Sequence, residues 1–333
     1  MVASKGTIVL ADTQTGKLLH GSKHTCHAAW CPIHAAKFSP DGLHVVLGSA
    51  DKTACVVDSR TGLKTFTIEG LHTGAILDAC FSPDGARVVL ASADMTASIV
   101  DAHTGDLQLH IKGLHTAAIN AARFSPDSSR LVLASADKTA SVLDASTGDR
   151  LVHLQDIHDN AILAADFSPH GTWLVLGCAD GSASVIDAKG GTAYWNHNFQ
   201  ASHKTGKIHA AHFSPDGQHI LLGCEGKKAL IVDGNNPSKV INDLGGVHKG
   251  AVFTAFFSSD ARRVIMGSAD RSVSVTTLRV RTVPYTLHQH TGFDPSYALH
   301  TFHAFTMVRR ATATRVTTGK FVLPKFLACH SAA

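Results

Sequence analysis

The stretch Phe81-Ser82-Pro83-Asp84-Gly85 decides the fold, because it recurs along the chain at a nearly constant spacing. Successive copies or close variants are separated by 43, 43, 43, 46 and 44 residues. A period of that size indicates a repeat architecture in which each copy is one supersecondary unit. The six copies begin at Phe38, Phe81, Phe124, Phe167, Phe213 and Phe257.

Each repeat contains four short apolar segments separated by turn residues. Pro83 suits the second position of a type I turn, and Gly85 accepts the left-handed conformation that closes a hairpin. One four-stranded unit cannot bury both of its faces, so several must stack around an axis. We therefore predict an all-β fold, a β-propeller of four-stranded antiparallel blades. In the second copy the predicted strands are Ala75–Phe81, Arg87–Ala91, Thr96–Val100 and Leu107–Ile111.

The two ends of the chain bear on the number of blades. Thr7–Leu10 and Lys17–His20 match the third and fourth strands of a blade whose first half is missing. Thr301–Val308 and Arg315–Leu323 are candidates to supply that half. We expect seven blades closed by a clasp between N- and C-terminal strands, which would remove exposed sheet edges. The alternative is six blades followed by a tail.

Composition limits the class of protein. The chain has 333 residues, 44% hydrophobic and 17% charged, which excludes disorder of the whole chain. The formal net charge is only +4, and the segment from Arg281 onward holds six cations against one anion. We therefore divide the chain into residues 1–280, a propeller of six recognisable repeats plus an N-terminal half blade, and residues 281–333, a basic segment and candidate part of the closing blade.

Cysteine usage and hydropathy bear on location. The seven cysteines are scattered and odd in number, as in a reduced protein. The sequence has no signal-peptide pattern and no run near the ~20 apolar residues of a membrane helix. We expect a cytoplasmic protein that does not enter a membrane, with nuclear and ciliary locations left open.

Three motifs recur in phase between residues 6 and 280, and they resemble those of the WD-repeat family. A Gly-x-His precedes the first strand, at His72, His115 and His248; the Phe-Ser-Pro-Asp-Gly turn follows nine residues later; and Ser-Ala-Asp-x-Thr precedes the third strand. The Trp of the Trp-Asp pair is missing from every copy. Its positions hold Val57, Val100, Leu143, Ile186, Val232 and Thr276.

The resemblance implies a hydrogen-bonded network in each blade that links the His, a Ser of the second strand and the Asp of the next turn. Each charge-assisted bond of this kind is worth about 1.5–3 kcal/mol. The matching residues are His72, Ser92 and Asp94; His115, Ser135 and Asp137; His158 and Asp180, with Cys178 in place of Ser; and His248, Ser268 and Asp270.

The resemblance also implies a function. We expect a non-enzymatic WD-repeat scaffold that mediates protein–protein interactions within a larger intracellular assembly. The residue after each turn Asp, or after Gly226 in the fifth repeat, lies on the face that such propellers use for partners, where cations favour acidic surfaces or peptides. The candidate partner-binding rim consists of Lys52, Met95, Lys138, Lys227 and Arg271, with Gly181 at the same place in the fourth repeat.

Two other function classes stay open. The basic tail and the cationic rim suit an RNA- or ribosome-associated propeller, since arginine-rich segments order on binding RNA. The His/Cys loop from His24 to His34 is the only dense group of metal-type ligands, but its spacing does not match paired zinc-binding arms. No P-loop, Gly-x-Ser-x-Gly or His-Glu-x-x-His motif is present. We expect no catalytic residues, no cofactor and no metal.

Overall fold

The computed structural model of the chain describes residues 2–4, 7–11, 18–23, 31–278 and 319–322, of which all but 31–278 are described as backbone only. These residues form an all-β propeller of six four-stranded antiparallel blades, preceded by a three-stranded sheet. The all-β architecture and the four-stranded antiparallel blades are thereby confirmed.

Strand order within every sheet follows the chain, so neighbouring strands are joined as hairpins. The N-terminal sheet consists of β1 (Val2–Ser4), β2 (Thr7–Ala11) and β3 (Leu18–Lys23). Blades 1 to 3 are β4 (Ile33–Phe38), β5 (His44–Ser49), β6 (Ala54–Asp58) and β7 (Lys64–Ile68); β8 (Ile76–Phe81), β9 (Arg87–Ser92), β10 (Ala97–Asp101) and β11 (Leu107–Ile111); and β12 (Ile119–Phe124), β13 (Arg130–Ser135), β14 (Ala140–Asp144) and β15 (Arg150–Leu154).

Blades 4 to 6 continue the same pattern, with one short helix, α1 (Gln200–His203), between blades 4 and 5. They are β16 (Ile162–Phe167), β17 (Trp173–Cys178), β18 (Ser182–Asp187) and β19 (Ala193–Asn198); β20 (Ile208–Phe213), β21 (His219–Cys224), β22 (Lys228–Asp233) and β23 (Val240–Asp243); and β24 (Val252–Phe257), β25 (Arg263–Ser268), β26 (Ser272–Thr277) and β27 (Gly319–Val322).

The core lies between consecutive blades. The second and third strands are buried on both faces, which explains why they read as continuous apolar runs rather than as alternating ones. Val89 and Ile99 of blade 2 pack in one cluster with Phe124 and Leu131 of blade 3. First strands of consecutive blades lie side by side, whereas the fourth strands are mostly exposed. The first strands therefore line the centre of the ring.

The expectation of a seventh, closing blade is wrong, and the alternative of six blades is the one observed. Residues 319–322 pair with β26, Ser272 opposite Val322, and complete blade 6 rather than the N-terminal sheet. In blade 6, Thr276-Thr277 stands in place of the apolar-Asp pair that starts the third-to-fourth turn of the other blades, and the fourth strand comes from residues 319–322. Thr301–Val308 lies outside the described residues.

The cysteines only partly fit the expectation of reduced thiols. Cys31, Cys80, Cys178 and Cys224 are free, whereas Cys55 is disulfide-bonded. The cytoplasmic location stays a prediction. Among the described residues, no helix is both long and apolar enough to span a membrane.

Candidate functional site

The candidate rim residues occupy one backbone position, the last residue of the turn between the second and third strands. In blade 3, Lys138 has φ 74° and the amide of Asp137 donates to Ser135 Oγ at 3.1 Å. The Thr139 amide donates to Asp137 Oδ1 at 2.9 Å, which closes the turn. A left-handed φ favours glycine, and only blade 4 has one there, Gly181. The non-glycine members are Lys52, Met95, Lys138, Lys227 and Arg271, with φ between 64° and 75°.

Each non-glycine rim residue is exposed. The four cations form no ion pair with any residue that the structure describes. Because the second strand runs from one side of the ring to the other, these turns lie opposite the Phe-Ser-Pro-Asp-Gly turns. We call the side that carries the rim residues the cationic face.

Four blades carry the predicted His and Asp of the network. In three of them, blades 2, 3 and 6, the two side chains are hydrogen-bonded to each other. His72 Nδ1 lies 3.3 Å from Asp94 Oδ2 and 2.9 Å from Thr96 Oγ1, while its Nε2 lies 2.7 Å from Ser98 Oγ. The predicted Ser92 is not bonded to the His, since its hydroxyl accepts from the Asp94 amide at 3.2 Å. Thr96, just before β10, and Ser98, within it, therefore contact the His in place of Ser92.

Blades 3 and 6 repeat this arrangement with small differences. His115 Nδ1 lies 3.1 Å from Asp137 Oδ2, and His248 Nδ1 lies 3.3 Å from Asp270 Oδ2. His248 Nε2 lies 2.7 Å from Ser274 Oγ. Ser135 and Ser268 donate to backbone carbonyls, at 3.1 Å in both cases, and not to the His.

Burial and hydrogen bonding determine the protonation states of the histidines and of Asp94 in this network. It lowers the pKa of His72, His115 and His158, and the nearby aspartates only partly offset it. Burial would raise the pKa of Asp94, but hydrogen bonds from Thr96 and Thr73 outweigh it and lower that pKa to about 2. In blade 2 a neutral His72 imidazole thus donates from Nδ1 to the ionised Asp94 carboxylate and accepts the Ser98 hydroxyl proton at Nε2.

Blade 4 departs from the others. His158 Nδ1 lies 2.8 Å from Ser182 Oγ and its Nε2 lies 2.9 Å from Ser184 Oγ. No hydrogen bond joins His158 to Asp180, whose carboxylate accepts from the Ser182 hydroxyl at 2.5 Å, as the corresponding Asp does from a hydroxyl in blades 2, 3 and 6. Cys178 lies beside both, and its thiol is 3.3 Å from the Asn160 carbonyl. Burial raises the pKa of Cys178 to about 11.

A second cluster, which the sequence reasoning missed, lies at the centre of the ring. Lys37 Nζ in blade 1 is 4.1 Å from the centre of the Phe256 ring in blade 6. The Phe256 ring is 4.7 Å from that of His212 in blade 5, and His212 Nδ1 is 2.8 Å from Asp166 Oδ2 in blade 4. Side chains from four blades thus form one run of contacts across the centre.

Blades 2 and 3 complete this central cluster. The Arg123 guanidinium forms an ion pair with Asp78, and it also donates to the Ala122 carbonyl at 2.7 Å. The Ala122 amide donates to the same carboxylate at 3.1 Å. The Cys80 thiol donates to the Ala122 carbonyl at 3.4 Å.

The central cluster suits ion pairing better than nucleophilic chemistry. Burial, with repulsion from Arg123, lowers the pKa of Lys37 to about 8. Burial also lowers the pKa of His212 and raises that of Cys80, so the thiol stays protonated. The cluster therefore ties the blades together through the ion pair of Arg123 with Asp78, the hydrogen bond between His212 and Asp166, and one cation–π contact.

One sequence signal would have found every member of this cluster except Asp78. The residue immediately before the Phe of each turn motif is polar in most copies, although the rest of the first strand is small or apolar. These six positions are Lys37, Cys80, Arg123, Asp166, His212 and Phe256.

The His/Cys loop lies mostly outside the described residues, which include only Cys31 and His34 of its candidate ligands. The one group of three metal-type ligands among the described residues is His158, Cys178 and Asp180.

Comparison with known protein families shows to which family the chain belongs. Residues 4–218, more than half of the chain, match the family model PQQ_2, which is described as outer membrane protein assembly factor BamB. The chain belongs to the PQQ_2 family. No curated protein matches this PQQ_2 chain.

Membership of PQQ_2 corrects the resemblance to the WD-repeat family, which was wrong. Hairpin turns and a period near 43 residues report a four-stranded blade, and such blades occur in more than one propeller family. The missing Trp in every copy was the signal against that resemblance.

The functional expectations that depended on the WD-repeat resemblance are therefore also wrong. The family match does not support a WD-repeat scaffold, and nothing in it supports an RNA- or ribosome-associated role. The expected lack of enzymatic activity stays a prediction.

Proposed function

We propose that this chain is a non-enzymatic, protein-binding assembly factor of the BamB type, and that it binds acidic segments of its partner on the cationic face. The family description, outer membrane protein assembly factor, supports protein partners.

One observation carries the choice of face. Five blades place a long side chain where the backbone favours glycine, with φ of 75° at Lys52 and 64° at Arg271. A non-glycine residue in this conformation costs about 1–2 kcal/mol. Strain that is retained at equivalent exposed positions of several blades is a mark of function.

The chemistry of the rim indicates its ligand. Lys52, Lys138, Lys227 and Arg271 present four exposed positive charges that pair with none of the described residues, and the exposed Met95 side chain adds an adaptable apolar contact. A segment that combines carboxylates with a few apolar side chains complements such a surface. Screening by salt should weaken the association.

The experiment compares two variants that each lose four exposed cations. In the first, K52Q/K138Q/K227Q/R271Q, the charges leave the cationic face. In the matched control, four exposed cations change on the opposite side, where the third-to-fourth turns lie. The control is R60Q/K64Q/R150Q/K189Q.

The probe is a fluorescent peptide of alternating glutamate and leucine, titrated by anisotropy at low and at physiological salt. We expect the cationic-face variant to bind at least tenfold more weakly than wild type and the control to bind within twofold. Equal losses in the two variants would show that only net charge matters, and unchanged binding in both would overturn the proposal.

A further inference from the structure

Blade 4 has Cys178 where blades 2, 3 and 6 have a serine, and this cysteine lies beside a His and an Asp that can also bind metals. We propose that His158, Cys178 and Asp180 form a binding site for Zn²⁺. This site lies within one blade, away from the central cluster.

The donor atoms are already close together. The ring nitrogen of His158, the sulfur of Cys178 and a carboxylate oxygen of Asp180 all lie within 4.8 Å of one another. His158 and Cys178 are buried, at 5% and 0% exposure, so no competing solvent surrounds them. Asp180 is partly exposed at the turn and provides the route by which an ion enters.

The comparison with the other blades supplies an independent argument. In blades 2, 3 and 6, the His Nδ1 and the Asp Oδ2 are joined at 3.1–3.3 Å. In each of those blades the same oxygen also accepts from the backbone amide after the His. Blade 4 lacks both bonds within the described residues, and the Cys178 thiol lies beside the separated side chains of His158 and Asp180. A cation bridges the two side chains where a proton bridges them in the other blades.

Charge and ligand type both suit zinc. A thiolate and a carboxylate neutralise the two charges of Zn²⁺, and the imidazole completes three protein ligands, with the fourth position left for water. Binding releases the thiol proton to solvent, and the ion displaces the Ser182 hydroxyl from His158 Nδ1.

The second ring nitrogen of His158, Nε2, already has the hydrogen-bond partner that a zinc-binding histidine needs. With Nδ1 bound to zinc, Nε2 carries the proton and donates to Ser184 Oγ, which lies 2.9 Å away. Such a hydrogen bond fixes the tautomer and the orientation of a metal-binding histidine. Ser184 is therefore a positioning residue for the site.

The chain offers a matched pair of variants. C178S restores the serine that blades 2, 3 and 6 carry at this position, as Ser92, Ser135 and Ser268, so the fold is expected to persist. C224S removes another fully buried cysteine, at the same strand position of blade 5, where Lys204 occupies the position of the network His.

The full-length proteins are dialysed against ZnCl₂, and bound zinc is measured by atomic emission. Loading with Co²⁺ in parallel reports thiolate ligation through its charge-transfer absorption. Circular dichroism verifies that each variant is folded, and D180N serves as a second ligand variant should C178S fail to fold.

We expect C178S and D180N to bind one equivalent of zinc fewer than wild type and C178S to lose the cobalt–thiolate band, while C224S keeps both. Zinc bound equally by wild type and C178S would place the metal elsewhere on the chain and overturn the proposal. Wild-type protein that binds no zinc would overturn it as well.

Discussion

The ammonium group of Lys37, in the first blade, lies 4.1 Å from the centre of the Phe256 ring, in the sixth blade. The two residues belong to strands that are more than 200 positions apart in the sequence, yet they occupy the same place in their repeats. The blades are thus linked at the centre of the ring by side chains as well as by the packing of their faces.

Phe256→Leu is expected to lower the free energy of unfolding by about 1–2 kcal/mol, because the cation–π contact and the ring contact with His212 are both lost. The measurement is urea denaturation followed by circular dichroism. Phe253→Leu is the control, since that side chain is 50% exposed. Equal effects of the two substitutions would show that the central contacts add nothing to stability.

The ion pair between Arg123 and Asp78 allows a double-mutant test. Arg123→Met leaves the Asp78 carboxylate buried without its partner, which is expected to cost about 3–5 kcal/mol. Asp78→Leu combined with Arg123→Met removes both charges and should recover most of that loss. If the double variant is less stable than Arg123→Met, the cost lies in lost packing and not in an unpaired charge.

A glycine substitution in a rim turn is expected to stabilise the protein. Lys138 has φ 74°, so Lys138→Gly relieves strain and is expected to raise the free energy of unfolding by about 0.5–1 kcal/mol. Lys138→Ala removes the same charge but keeps the strain, and it should not stabilise the protein. Thermal unfolding of the two variants distinguishes them. A Gly variant no more stable than the Ala variant would refute retained strain.

The buried histidines predict a dependence of stability on pH. His72, His115 and His158 have pKa values below the ordinary 6.5 in the folded protein, so the unfolded chain binds more protons as the pH falls through that range. The free energy of unfolding is therefore highest above about pH 7 and falls towards about pH 5. A second loss follows below about pH 4, where Asp94 is protonated in the unfolded chain first.

Urea denaturation at several pH values checks this dependence. The slope between neutral and mildly acidic pH should be smaller in His115→Asn, which cannot be protonated. A free energy of unfolding that stays constant over that interval would show that these histidines are not buried as neutral rings.

The blade was predictable from sequence because its signals are local. The second copy forms strands within one residue of the predicted ends, since Pro83 and Gly85 set the hairpin and the apolar runs set the buried strands. The contact between His72 and Asp94, which the family resemblance implied, is also present.

Other features depend on partners that lie far apart in the sequence. No local pattern shows that residues 319–322 complete blade 6, or that Arg123 meets Asp78 of the preceding blade. The family was misassigned because turn residues report the geometry of a blade and not its ancestry. The left-handed conformation of Lys138 was hidden, because the sequence signal for that conformation is glycine.

Site-specific photo-crosslinking tests the central claim, that the cationic face binds proteins, most directly. A photoreactive amino acid is placed at Lys138, on the cationic face, or at Arg60, on the opposite side, and full-length protein is irradiated in its own cells. The account predicts discrete protein adducts from position 138 that disappear in the K52Q/K227Q/R271Q background, and none of these from position 60. The same adducts from both positions, or none from position 138, would contradict it.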